Sequence, residues 1–170
     1  KEIEVLIMDQ DIDEFVIPTI NKYKKHDLKS VNFSDAAEEL KTAEDKKEET
    51  NIKPLLKKMK KVLGEQVKDV TASSRLKDSP SCIVADSNDP TAKMQELMKA
   101  MGQPGQQDIK PILEINPSHA IIIKLKNMKK SKSFDDISQL LLDQAVLLEG
   151  AKLKNPTDFV DRLNTILTES

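Results

Sequence analysis

No feature of the chain constrains its fold more than the stretch from Ser133 to Ser170. Phe134, Ile137, Leu140, Leu141, Ala145 and Leu148 recur at three- and four-residue steps, the spacing that places side chains on one face of an α-helix. Leu142 and Val146 add a second apolar strip beside the first. Ser133, followed three positions on by Asp136, suits a capping box, and Gly150 stands where a left-handed residue would end the helix. Asn155 then suits the cap of a second helix, with Pro156 in its first turn where the missing N–H costs nothing. Phe159, Val160, Leu163, Ile166 and Leu167 repeat the helical spacing almost to the last residue. An antiparallel pair of helices this apolar hides only part of its surface within itself. The rest needs either the body of the same chain or a second copy related by two-fold symmetry, which would make a four-helix bundle.

Composition narrows what surrounds that hairpin. A length of 170 residues allows a real core, and the chain opens at Lys1 straight into the apolar run Ile3 to Met8, so it reads as a piece of a longer protein. With aromatics at 3%, no Trp and one Tyr, the core must be aliphatic and methionine-bearing, which favours helices over an all-β fold. A net charge of −2 argues against nucleic acid as the main partner. The single Cys82 forms no intrachain disulfide and fits a reducing compartment, the cytoplasm. No apolar run reaches about 18 residues, so no membrane-spanning helix is expected.

Taken in order, Glu2 to Met8 reads as a buried strand, Ile12 to Tyr23 as a helix weakened by Pro18, and Leu28 to Phe33 as another short extended piece. This fragment is too small to bury itself, so residues 1–34 read as the tail of a preceding domain. Residues 35–51 read as a linker or a solvated helix, since from Lys41 to Asn51 almost every residue is charged or polar. Residues 52–170 read as one domain. Ile52, Leu55, Leu56, Met59, Val62 and Leu63 predict an amphipathic helix stopped by Gly64. Val67 to Ser73 and Cys82 to Ala85 read as adjacent antiparallel strands, Thr91 to Met101 as a helix, Ile112 to Ile115 as a third strand, and Ser118 to about Lys129 as a helix. The expected class is α+β: a small three-stranded antiparallel sheet covered by helices and closed by the hairpin.

Signatures of chemistry are sparse. Asp9, Asp11 and Asp13 alternate like the start of a calcium loop, but Glu14 stands where a glycine is needed and Ile20 where a bidentate glutamate is needed. His26 and His119 have no ligand-like spacing to Cys82, and Ser74 with Lys77 spells a nucleophile motif without its companions. No phosphate-binding glycine loop or nucleophile elbow is present, so no catalytic, cofactor or metal residue is assigned. Lys57, Lys58, Lys60 and Lys61 would contact phosphates in a nucleic-acid-binding module; flanked by acid and lacking aromatics, they read better as a solvated face. Met94, Leu97, Met98 and Met101 form one helical stripe, which is either core filler or a deformable apolar patch for varied partners.

Several blocks together resemble one family. VKDVTASSRLKDSPSCIV (Val67 to Val84), EINPSH (Glu114 to His119), LLLDQAVLLEG (Leu140 to Gly150) and NPTDFVDRLNTIL (Asn155 to Leu167) resemble the C-terminal region of the ninety-kilodalton heat-shock chaperones in their bacterial form. IEVLIMDQDIDEF (Ile3 to Phe15) resembles the end of that family's middle domain. The resemblance implies the dimerising end of an ATP-driven, homodimeric chaperone, with ATP, magnesium and catalysis confined to parts of the parent protein not contained in this stretch. It implies that the last two helices meet their twins in a four-helix bundle. Leu140, Leu141, Leu148, Phe159, Leu163 and Leu167 are the interface positions that spacing selects, and Met94, Leu97 and Met98 are the positions of the family's client-contact helix. The chain ends in LTES, without the Glu-Glu-Val-Asp tail that recruits tetratricopeptide co-chaperones in eukaryotes, so such partners are not expected. A plain dimerisation module without client contact is the blander alternative.

Overall fold

The computed structural model describes residues 4–8, 10, 12–20, 22–34, 41–86, 89–102, 109–129 and 131–168. Asp13–Val16 (α1) is a single helical turn that passes into a 3-10 turn at Ile17–Thr19, after which Lys22–Tyr23 (β1) pairs antiparallel with His26–Asp27 (β2). The helix expected from Ile12 to Tyr23 is therefore cut short. Pro18 supplies no N–H to extend the ladder, and Lys24, at φ 54°, turns the chain back. Residues 4–8 are exposed and pair with no strand among the described residues, while residues 2 and 3 of the expected opening strand lie outside them. A run apolar on both faces needs cover on both faces to be a strand. The piece from Leu28 to Phe33 reduces to one parallel bridge between Phe33 and Ala85, with Ser34 N donating to Ala85 O at 3.0 Å and Ala85 N donating to Asn32 O at 2.9 Å.

Ala43–Leu63 (α2) joins the charged stretch and the amphipathic one into a single helix of 21 residues that runs straight across residue 51. Thr42 starts it with a reciprocal cap: its hydroxyl accepts from Asp45 N at 3.2 Å, and the Asp45 carboxylate accepts from Thr42 N at 2.6 Å. Pro54 lies within the helix, but it and Thr50, whose carbonyl loses a donor, are exposed, where the missing bond is cheapest.

Asp69–Ala72 (β3), Ser81–Val84 (β4), Ala92–Ala100 (α3) and Ile112–Ile115 (β5) follow, then Ala120–Asn127 (α4), Lys132–Leu148 (α5) and Pro156–Thr168 (α6). The sheet order is β3-β5-β4, with β3 parallel to β5 and β4 antiparallel to it. The expected adjacency of the first two strands is thus replaced by insertion of the third between them. Burial explains the order. All four residues of β5 are buried, as a strand covered on both faces must be, whereas exposed Asp69 and half-buried Thr71 mark β3 as an edge. The class is α+β, as expected, with a mixed rather than antiparallel sheet.

Helix α2 packs on β3 and α5 on β4, and the core forms between these helices and one face of the sheet. Met59, Leu63, Leu113, Ile115, Ile122, Leu125, Phe134 and Leu141 are its fully buried large side chains. Helix α4 contributes Ile122 and Leu125 from its inner side; it begins at Ala120 rather than at Ser118 because His119 caps it, its Nδ1 accepting from Ile121 N at 3.2 Å.

Candidate functional site

The terminal hairpin is built from unequal halves. Ser131 rather than Ser133 caps α5, its hydroxyl accepting from Phe134 N at 3.3 Å, and Gly150 at φ 75° turns the chain out of the helix where only glycine sits without strain. Asn155 Oδ1 accepts from Asp158 N at 3.3 Å and opens α6 on Pro156, as the spacing predicts. Phe134, Leu141, Leu142 and Ala145 of α5 enter the core, and Ser81 Oγ donates to Leu141 O at 2.9 Å. Helix α6 packs on α5, yet none of its 13 residues is buried. Phe159, Leu163 and Ile166 are half-buried, while Val160 and Leu167 are exposed, as are Leu147 and Leu148 on the last turn of α5.

The six positions selected from spacing therefore divide. Leu140 and Leu141 are buried by the chain's own fold, at 6% and 1% exposure. Leu148 and Leu167, at 70% and 66%, stand free, and Phe159 and Leu163 lie between. Spacing identifies a shared helix face but not which body covers it.

An electrostatic knot sets how α6 lies on α5. Arg162 meets Asp143 at 3.2 Å, Asp158 at 3.8 Å and Asp136 at 3.9 Å, so one guanidinium holds three carboxylates from both helices. Burial raises the Asp143 pKa, against the lowering effects of the Gln139 amide, which donates at 3.1 Å, and of Arg162. Sequence reading missed this knot. Its one visible trace is the seven-residue step from Asp136 to Asp143, which returns to the same stripe of a helix.

Helix α3 stands apart from the main core. Thr91, buried, caps it by accepting from Met94 N at 3.1 Å. Met94, Leu97 and Met98 are half-buried, Met101 is 63% exposed, and none of the four belongs to the core cluster. A cleft of about 460 Å³, lined among others by Val84, Pro90, Gln95, Leu142, Val146 and Arg162, separates the start of α3 from the hairpin. The methionine helix and the uncovered hairpin thus border one concavity.

On the sheet face opposite the core, Glu114 of β5 is 4% exposed and accepts from Ser73 Oγ and Arg75 Nε, each at 3.0 Å. Arg75 also donates to the Val31 carbonyl and reaches Cys82 Sγ at 3.6 Å. Burial first, then the Glu114 carboxylate, pushes the Cys82 thiol up to about 11. Asp9 and Asp11 of the acidic opening lie outside the described residues.

A mixed sheet backed by helices, with an amphipathic hairpin and a methionine-bearing helix both left partly uncovered, defines an α+β module whose described residues leave apolar surface exposed. The whole chain, residues 1–170, matches the family described as Hsp90 protein, and it belongs to that family. It is 48% identical over 172 residues to the chaperone protein HtpG of Treponema denticola, an alignment covering 99% of this chain and 27% of that relative. The HtpG chaperone of Treponema pallidum is 45% identical over 168 residues, covering 96% of this chain and 26% of the relative. That of Coxiella burnetii is 42% identical over 175 residues, covering 100% and 27%. The chain therefore spans about a quarter of the length of these relatives. No described helix is long and apolar enough to cross a membrane.

Proposed function

We propose that this chain is the dimerising end of an ATP-driven cytoplasmic chaperone, in which the α5–α6 hairpins of two copies form a four-helix bundle and the stripe on α3 touches non-native clients. One observation supports the reading most: α6 is amphipathic, carries five apolar residues, and buries none of them in its own protomer. Leu147, Leu148, Val160 and Leu167, with the half-buried Phe159 and Leu163, make the apolar surface that a twin would cover. Tying two arms at this end makes their meeting elsewhere intramolecular, which raises their effective concentration without any new contact. ATP and magnesium belong, in this reading, to the remaining three-quarters of the parent protein.

The test is mass by light scattering during size exclusion at micromolar concentration. The unaltered chain is expected at twice the monomer mass, and Leu148→Asp with Leu167→Asp at monomer mass with unchanged circular dichroism. Two-fold symmetry removes each leucine twice, so at roughly 1.5 kcal/mol for each partly exposed side chain the loss exceeds about 4 kcal/mol, on the order of a thousandfold in Kd. A double variant that remains dimeric rules this surface out.

A further inference from the structure

The net charge of −2 conceals a separation of charge. From Thr50 to Gly64 and from Ile115 to Phe134 the sequence contains ten lysines, no carboxylate and no arginine. The fold lays these two acid-free runs side by side: α2 packs against α4, Lys126 Nζ donates to Asn51 Oδ1 at 3.0 Å, and Lys58 Nζ stands 5.9 Å from the centre of the Phe134 ring at the start of α5. Lys57, Lys58, Lys61, Lys124, Lys126 and Lys129 are all exposed, and among the described residues none of the six has a carboxylate within ion-pair distance. Glu49, which borders the first run, is already taken by Lys41 at 3.1 Å.

Helix α4 is also apolar beyond what its inner side uses. Ile122 and Leu125 enter the core, but Ile121 and Ile123 remain 38% and 49% exposed. At about 100° per residue these two lie about 200° apart, on opposite shoulders of the helix. Lys126 shares the Ile123 shoulder, the one turned toward α2.

We propose that the lysine-bearing surface where α2 and α4 meet binds an acidic polypeptide segment, with carboxylates on Lys58 and Lys126 and an aliphatic side chain on Ile123. Complementary charge selects the ligand, and geometry selects the class. A bilayer is flat and would meet the crown of α4, at Lys124, while leaving both isoleucine shoulders unfilled; a single extended chain fits along one shoulder. Nucleic acid is disfavoured by the absence of arginine for bidentate phosphate contact and of any exposed ring for stacking in either run. The inference is independent of the dimer and of the methionine stripe.

The experiment is fluorescence anisotropy on the 170-residue chain with a labelled peptide of glutamates carrying a leucine at every fourth position. A glutamine-for-glutamate peptide, an oligothymidylate and phosphatidylglycerol vesicles serve as competitors. Saturable binding of the acidic peptide is expected, weakened by salt, lost with the glutamine peptide, and reduced about tenfold by Lys58→Glu with Lys126→Glu. Lys126→Gln, which disturbs folding least, should give a smaller loss in the same direction. Met94→Ser with Met98→Ser should leave this affinity unchanged, which separates the α2–α4 surface from the proposed client stripe. No binding, equal affinity of the lysine variants, or displacement by oligothymidylate or vesicles at lower concentration than by unlabelled peptide would each overturn the proposal.

Discussion

Replacing Arg75 by alanine would expose how much the back of the sheet depends on one buried charge pair. Glu114 sits on the central strand with its side chain 5% exposed, and after the change its carboxylate would keep only neutral donors, the Ser73 hydroxyl at 3.0 Å and the weaker Cys82 thiol at 3.9 Å. Stranding one charge of a buried pair costs about 3–5 kcal/mol. Because Ser73 remains and the Arg75 side chain is itself 23% exposed, the lower end, about 3 kcal/mol, is the expected loss. At roughly 2–4 °C per kcal/mol for a chain of this size, the unfolding midpoint falls by about 6–12 °C. Adding Glu114→Gln should restore about 1–2 kcal/mol, since a neutral amide no longer needs the cation. Thermal unfolding by circular dichroism measures the midpoint, and hydrogen exchange at the Ser34 and Ala85 amides reports whether the segment held through the Val31 carbonyl loosens first. Cys82 supplies a third measure. With its thiol near 11, only about one molecule in a thousand is a thiolate at pH 8, so alkylation of the native chain should be slow and should quicken as the sheet opens. A loss below about 1 kcal/mol, or strict additivity of the two substitutions, would show that the carboxylate is in effect solvated and that the pair holds nothing together.

Two further outcomes follow from the geometry. Met94→Ser with Met98→Ser should weaken binding of an unfolded polypeptide several-fold in a pull-down or anisotropy assay while leaving the circular dichroism unchanged, because neither side chain is in the core cluster; unaltered binding would return that stripe to a packing role. Asp143→Asn addresses the knot at Arg162. A carboxyl whose folded pKa is raised destabilises the fold while ionised, and falling pH relieves that cost as the folded state takes up its proton first. The amide variant should thus equal or exceed the parent in stability at pH 7 by up to about 1 kcal/mol, with the advantage fading as pH falls through the raised pKa toward the ordinary aspartate range. Urea unfolding at pH 7 and pH 4 measures the difference, and a loss greater than about 1 kcal/mol at pH 7 would mean that the Arg162 pairing outweighs burial.

Local signals were legible in the sequence and non-local ones were not. Gly64, Gly150 and the Asn155-Pro156 pair mark helix ends that the structure reproduces, because each acts through backbone geometry within a few residues. Ser131 won the α5 cap from Ser133 by two residues, a choice between like side chains that neighbouring packing decides. The order of the sheet depends on Ile112 to Ile115 being covered on both faces, which no window around β3 or β4 reveals. The same limit holds for the surfaces. The period of α5 groups Leu140, Leu141 and Leu148, yet the first two are enclosed by their own chain and the third is not. The lysines of α2 read as an ordinary solvated face until the fold sets a second acid-free run beside them.

In the proposed dimer, folding and association are separable within the one hairpin. Helix α5 commits Phe134, Leu141, Leu142 and Ala145 inward, so its position is fixed by the core of its own chain. Helix α6 commits nothing, and leans on α5 through half-buried Phe159, Leu163 and Ile166 and the three carboxylates around Arg162. Changes at Leu141 should therefore act on the stability of each protomer, and changes at Leu148 or Leu167 on the meeting of two. Arg162 lies between these classes: loosening it alters the angle of α6 without opening the core, so its effect should grow with dilution, as a dimer's does, and not with temperature alone. That division follows from where the apolar residues are buried.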